Sequence, residues 1–296
     1  MQESWGFEPG DEIAPGRSVV RAIGGGRRYE VFLVWDDRLF SLVVAKVLRP
    51  DVAGEDRARD EVREEAEALR RLAHPVIVRG FDAVVDGPHP HVLIEHLEGP
   101  TLRQLIRRGG PAPLEQLLPL AAHVAAALHY MAVVGMVHLD VKPDNIVMGV
   151  PPRLIDLSIA RTLERAASSR SPLGTDAYMP PEQCAPAEHP GAIGPASDVW
   201  GLGATLHHAV SGEVPFPRPR EARDSEDPRV RFPQLEGEPR PLPERTPAAL
   251  RGLIARTLSK LPADRPSASE LVLELEPLVA DLPRKLVFGR RSARVR

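Results

Sequence analysis

His138-Leu139-Asp140-Val141-Lys142-Pro143-Asp144-Asn145 sets an acid, an ammonium and an amide close together in one short polar stretch. Eleven residues beyond Asn145 stands another acid, Asp156, in Leu154-Ile155-Asp156-Leu157-Ser158. Two carboxylates and a carboxamide form an all-oxygen donor set, which suits a hard divalent cation such as Mg²⁺. Lys142, two residues from Asp140, adds the compact point charge that a phosphate attracts.

Upstream, Gln116 to Leu139 contains no Asp, Glu, Lys or Arg. That is long enough to cross a bilayer, which takes about 20 residues. Pro119, His123, His129, Tyr130 and Gly135 make a poor lipid-facing set, and the run leads straight into the polar stretch. It is expected to be a buried core helix, Leu114 to Val134. Downstream, Ser168-Ser169-Arg170-Ser171 is polar. Gly174-Thr175-Asp176-Ala177-Tyr178-Met179-Pro180-Pro181-Glu182 follows, a run that no helix or strand periodicity demands. Ser197-Asp198-Val199-Trp200-Gly201-Leu202-Gly203 opens a helix, with Ser197 as its N-cap.

The N-terminal third reads differently. Runs rich in β-branched and aromatic residues predict strands over Arg17 to Ile23, Tyr29 to Trp35, Phe40 to Leu48, Val78 to Val85 and His91 to Glu95. Between the first two lies Gly24-Gly25-Gly26, a turn that can bring backbone N–H groups to a phosphate. Arg57 to Ala73, made mostly of Arg, Glu, Ala and Leu, predicts a helix that stops before Pro75. Met1 to Gly16 reads as a loose arm. Short helices are expected at Leu102 to Arg108, Thr246 to Ser259 and Ser267 to Val279, with a hairpin over Ile146 to Met148 and Arg153 to Ile155. Pro215 to Pro247 is proline-rich and charged, with no evident helix. Arg284 to Arg296 is basic and reads as a solvated tail.

Composition narrows the class. A chain of 296 residues suits one large domain or two closely packed lobes. The net charge of -3 disfavours a general nucleic-acid binder. One cysteine, Cys184, excludes an internal disulfide and fits a reducing, cytoplasmic setting. The acidic start lacks an apolar run, so no signal peptide is expected. Lysine occurs only at Lys46, Lys142, Lys260 and Lys285 against abundant arginine. In such a background Lys46 and Lys142 mark places where an ammonium is needed and a planar guanidinium does not serve, while Lys260 and Lys285 read as chance survivals.

The stretch from His138 to Asn145 resembles the catalytic loop of the eukaryotic-like serine/threonine protein kinases, His-Arg-Asp-x-Lys-x-x-Asn, in their bacterial, actinobacterial form. Asp156 takes the place of the acid in Asp-Phe-Gly, and Gly174 to Glu182 resembles Gly-Thr-x-x-Tyr-x-Ala-Pro-Glu. Leu139 departs from the usual Arg, Leu157-Ser158 from Phe-Gly, and Tyr29 from the third glycine of Gly-x-Gly-x-x-Gly-x-Val. The resemblance implies an α+β, bilobal fold with a small β-rich N-lobe and a larger, mainly helical C-lobe. An arm would span 1–16, the N-lobe 17–95, the hinge and C-lobe 96–280, and the basic tail 281–296.

It also implies roles. Asp140 would orient the acceptor hydroxyl and take its proton, Lys142 would neutralise the γ-phosphoryl group, and Asn145 and Asp156 would hold Mg²⁺. Lys46, at the end of Val44-Ala45-Lys46, would grip the phosphates of ATP, held by a glutamate. Glu61, Glu64, Glu65 and Glu67 compete for that place, and counting back from His74-Pro75 selects Glu65. Ile23, Gly24, Gly26, Val31, Val44 and Val147 would line the nucleotide site, with Ile94 behind it and the backbone of Glu95 and Leu97 meeting the adenine. Glu182 would pair with Arg265, and Asp198 would anchor the catalytic loop. Lys142 and Thr175 fit the Ser/Thr acceptor class. Ser168, Ser169 and Ser171 are candidate autophosphorylation sites, although Leu139 removes the cationic socket that would read such a phosphate. The implied partners are ATP and an unspecified protein substrate, with no nucleic acid and no membrane span. A catalytically silent nucleotide-binding scaffold and a small-molecule phosphotransferase are the alternatives.

Overall fold

Alternating apolar positions make the strands, and their register delivers Lys46 to the cleft. The computed structural model describes residues 3–282. Its first part is a six-stranded antiparallel sheet in the order β1-β2-β3-β4-β6-β5. The strands are β1 (Glu12–Ala14), β2 (Arg17–Gly25), β3 (Tyr29–Asp36), β4 (Ser41–Leu48), β5 (Gly80–Val84) and β6 (His91–Glu95). In β4 Lys46 lies between Val31 of β3 and Val92 of β6. A short helix, α1 (Pro50–Ala53), precedes α2 (Asp56–Arg71), which buries Ala58, Val62, Glu65, Ala68 and Leu69.

The rest is mainly helical. α3 (Leu102–Gly109) starts with a Thr101–Gln104 capping box. α4 (Leu114–Val133) is the charge-free run. It is long and apolar enough to cross a membrane, yet it packs against α7 (Pro195–Ser211) and α10 (Ala268–Ala280) and buries Leu117, Leu120, Val124, Leu128 and Met131. The core-helix expectation thus accounts for it. Between these helices lie the short strands β7 (Met136–Val137), β8 (Ile146–Val147), β9 (Arg153–Leu154) and β10 (Arg161–Thr162), and the helices α5 (Leu163–Ala167) and α6 (Pro181–Cys184). α8 (Pro228–Arg231) and α9 (Ala248–Thr257) complete the set.

Some expectations need correction. The arm is ordered over its described part. Trp5 and Phe7 pack on the outer face of the sheet, the Trp5 indole donates to Leu48 O at 2.7 Å, and Glu12–Ala14 adds an edge strand. Ser197 is not the N-cap of α7. The helix starts at Pro195 behind Gly194, and the Ser197 hydroxyl instead receives the Gly194 N–H at 3.1 Å. Proline at the first helical position, where its missing N–H costs nothing, is the reason. The serine-bearing stretch after Asp156 includes α5, capped by Thr162. The proline-rich segment holds only short helical turns, among them α8. The basic tail lies outside the described residues.

Candidate active site

A cleft of about 1610 Å³ opens between the sheet and the helical part, and it collects most of the polar residues singled out above. Ile23, Gly24, Gly26, Val31, Lys46, Lys142, Asn145 and Asp156 all line it. Asp140, Glu65, Val44, Glu95, Leu97 and Val147 do not, although Asp140 and Glu65 bond to lining residues. Val44 pairs with Ile94 in the sheet, and Val147 bridges to Thr101. The Glu95 carboxylate binds Arg153 at 2.9 and 3.2 Å and the Arg79 N–H at 2.7 Å, tying β6 to β9.

On the sheet side, the Lys46 ammonium donates to both Glu65 oxygens, at 2.9 and 3.0 Å, and to Asp156 Oδ1 at 2.6 Å. It also lies 4.6 Å from the centre of the Tyr29 ring. Burial works against this ammonium, but Glu65 and Asp156 hold its pKa well above the lysine range. Burial likewise would raise the Asp156 carboxyl; Lys46 outweighs it and keeps that group far below the usual carboxylate range. Of the four competing glutamates, Glu65 is the one that reaches Lys46. Glu61 faces Arg28 and Arg57, Glu64 pairs with Arg165 at 2.7 Å, and Glu67 with Arg70.

Among the glycines of the β2–β3 turn, the conformational demand falls on Gly25. Its φ is +157° and an added Cβ would sit 2.9 Å from Tyr29 O, whereas Gly24 and Gly26 have open space. Tyr29 turns its ring inward, where its hydroxyl is buried without a partner. Arg49 braces the turn from below: its Nε donates to Gly26 O at 2.8 Å and its backbone N–H to Arg28 O at 2.9 Å.

On the other side, Asp198 in α7 accepts the backbone N–H groups of His138 at 2.8 Å and Leu139 at 2.7 Å. This holds Leu139 at a φ of +66°, a left-handed conformation costly for a side chain of this size. The turn that follows presents Asp140. Lys142 Nζ donates to Asp140 Oδ2 at 2.6 Å and to Thr175 Oγ1 at 2.7 Å. Asn145 Nδ2 donates to Asp140 O at 2.9 Å and to Oδ2 at 3.1 Å. Asp140 Oδ1, in contrast, is buried with no hydrogen-bond partner.

The segment from Asp156 to Glu182 is held at several points. Leu139 packs with Val137, Ala166 and Ile193 in an apolar cluster that Ile159, Leu163 and Leu173 join. Gln183 Nε2 donates to Leu139 O at 3.0 Å and Leu173 O at 2.6 Å. Arg265 donates to both oxygens of Glu182 at 2.6 and 2.8 Å, and neither side chain is exposed. Contacts not legible in the sequence join the proline-rich segment to this one. Arg218 and Arg231 both hold Asp176, and Gln234 Nε2 donates to Asp176 O at 2.6 Å.

Residues 17–274 match the family model described as protein kinase domain. The chain is 35% identical over 274 residues to the probable serine/threonine-protein kinase PkwA of Thermomonospora curvata, covering 91% of this chain and 35% of that protein. It is 34% identical over 203 residues to the serine/threonine-protein kinase PknB of Mycobacterium leprae, covering 66% of this chain and 32% of that protein. A probable serine/threonine-protein kinase of Corynebacterium efficiens is 32% identical over 289 residues, covering 90% and 42% respectively. The chain therefore spans well under half the length of these relatives.

Proposed function

The chain belongs to the protein kinase domain family, and from that premise we propose that it transfers the γ-phosphoryl group of ATP to Ser or Thr hydroxyls of a protein substrate. The observation that carries this reading is the state of Asp140. One carboxylate oxygen is fixed by Lys142 and Asn145, both of which line the cleft, while the other is buried and unpartnered just behind them. A buried acceptor without a donor is costly. An incoming hydroxyl would satisfy it, and the same contact would align that hydroxyl for attack and accept its proton.

The other residues fit positioning and charge stabilisation, which is most of what phosphoryl transfer asks of a protein. Lys46, fixed by Glu65, would hold the nucleotide phosphates. Lys142 would meet the negative charge of the transferring group. Thr175, bonded to Lys142, brings the Gly174–Glu182 run, the acceptor loop, to the same point. The Asn145 amide nitrogen is committed to Asp140, which leaves its oxygen, with the Asp156 carboxylate, as donors for a hard cation. Among the described residues there is no cluster of three or more His, Cys, Asp or Glu suited to holding a metal. Mg²⁺ would take the rest of its shell from phosphate and water. When bound, the ion would screen charge on the phosphates. Ser168, Ser169 and Ser171 are the proposed sites of self-modification.

The test is transfer of labelled γ-phosphate from ATP with Mg²⁺, by the purified chain alone and with a generic protein acceptor, beside Asp156→Ala. Label on Ser or Thr that disappears in the variant is the expected result. ATP binding without any transfer would overturn the reading in favour of a silent nucleotide-binding scaffold.

A further inference from the structure

The acceptor side of the cleft carries positive charge that the chemistry does not use. Arg103 and Arg107, four residues apart on α3, line it, on a helix that packs against the Pro143–Asn145 turn. Arg161 and Arg170 line it from the segment after Asp156. Among the described residues none of these four is in an ion pair, whereas neighbouring Arg165 is spent on Glu64 and Lys142 on Asp140. The unpaired acid on this side is Asp144, also in the lining. Arg161 shares the field of Glu64 and Glu61, which leaves Arg103, Arg107 and Arg170 facing Asp144.

Arg103 is the most constrained of the four. Its Nη1 lies 3.1 Å from Nε2 of His208, a buried residue of α7. The same Nη1 is 3.3 Å from Nδ1, so the guanidinium lies against the imidazole ring, and a hydrogen bond of 2.6 Å joins Nδ1 to Tyr178 Oη. Burial first, then the charge of Arg103, push the His208 imidazole down to about 4. A neutral imidazole orients Arg103 but offers it no counter-charge. Such a cation, fixed at the wall of a cleft without an acid, is preorganised for a carboxylate, which a guanidinium binds through two parallel hydrogen bonds. The Tyr178 end of this relay belongs to the Gly174–Glu182 run, so the acceptor loop and the arginine are set by one buried contact.

We propose that the substrate of this chain is an acidic peptide segment, with Asp or Glu flanking the phosphorylated Ser or Thr, and that Arg103 and Arg107 read those carboxylates. This deepens the kinase reading and rests on it.

Three peptides with one acceptor Thr flanked by Glu, Ala or Lys test the idea. With the full chain, the Glu peptide is expected to have a kcat/KM at least about tenfold above the Lys peptide, the advantage shrinking as salt screens it. Arg107→Glu, on the helix surface, should narrow the preference. Arg103→Glu with Arg107→Glu should invert it, and a gain toward the Lys peptide also reports a folded protein. Equal use of the three peptides, preference for the Lys peptide, or a preference indifferent to both variants would overturn the proposal. Anisotropy of the same labelled peptides on the Asp140→Asn chain reads selectivity without turnover. Acidic-peptide binding there, with no transfer by the unmodified chain, would sink the kinase reading while leaving the charge reading intact; no discrimination there would sink the charge reading alone.

Discussion

Two side chains at the centre of this molecule sit where glycine would be easier. Leu139 and Asp156 have φ of +66° and +67°, and such positions cost of order 1–3 kcal/mol each unless the surroundings impose them. Asp198 imposes the first through two backbone hydrogen bonds, and Lys46 holds the side chain of the second. Both spend stability on aim. Asp140→Asn keeps the shape of this arrangement while removing the proposed base. Turnover should fall by about 10²-fold or more with nucleotide affinity retained, measured by single-turnover transfer and by calorimetric titration. Lys46→Met should act differently. It removes the proposed grip on phosphate and leaves Glu65 buried without its cation, a change that costs about 3–5 kcal/mol. Weaker nucleotide binding and a lower Tm should therefore appear together; unchanged affinity would mean that Lys46 is not the phosphate ligand. Glu65 was legible among its neighbours only through the family resemblance, which counts back to it from His74-Pro75. The Arg103–His208–Tyr178 relay was not, since three residues on separate elements share no spacing that a linear reading can detect.

At the scale of elements, the N-terminal segment shows what hydrophobic periodicity misses. Trp5 and Phe7 stand alone among acidic and polar residues, so no window marks them, yet each finds the sheet and packs on His89. Their anchoring extends to the β2–β3 turn. Arg49 donates to Glu3 O at 3.0 Å as well as to Gly26 O. Arg49→Ala should therefore raise the KM for ATP several-fold with little change in kcat, because a looser turn weakens ground-state and transition-state binding alike. The segment after Asp156 has its own anchor in the apolar cluster around Leu139. Alanine at Ser168, Ser169 and Ser171 together should leave peptide phosphorylation within about twofold of the unmodified chain. Abolished transfer would show that a phosphate, and not hydrocarbon, completes the segment. β2 to β6, α2 and α4 were readable from pattern alone. The start of α7 was less so, because Ser197 and Pro195 offer competing start signals; Pro195 takes the first helical position, and the Ser197 hydroxyl turns to Glu182 instead.

The whole molecule is tied together by buried polar links across long sequence separations: Asp198 to the 138–139 backbone, Glu182 to Arg265, and His208 to two elements. The last gives stability a pH dependence. The folded imidazole titrates at about 4 against an ordinary 6.5, so between these values the unfolded chain binds more protons. The contribution is complete above 6.5 and is lost as pH falls toward 4, at most about 3 kcal/mol. Burial lowers His91 and His74 as well, in the same sense. Tm should fall steadily from pH 7 to pH 4.5, and His208→Gln should flatten that slope; an identical slope would assign the effect elsewhere. Leu139 has a consequence of another kind. Apolar association near room temperature is driven by entropy and fades on cooling. A segment closed by hydrocarbon therefore becomes harder to keep closed in the cold, when a charge-based latch would be little affected. The activity of this chain should drop on chilling faster than its chemistry alone would slow, as order in the stretch beyond Asp156 melts away from below.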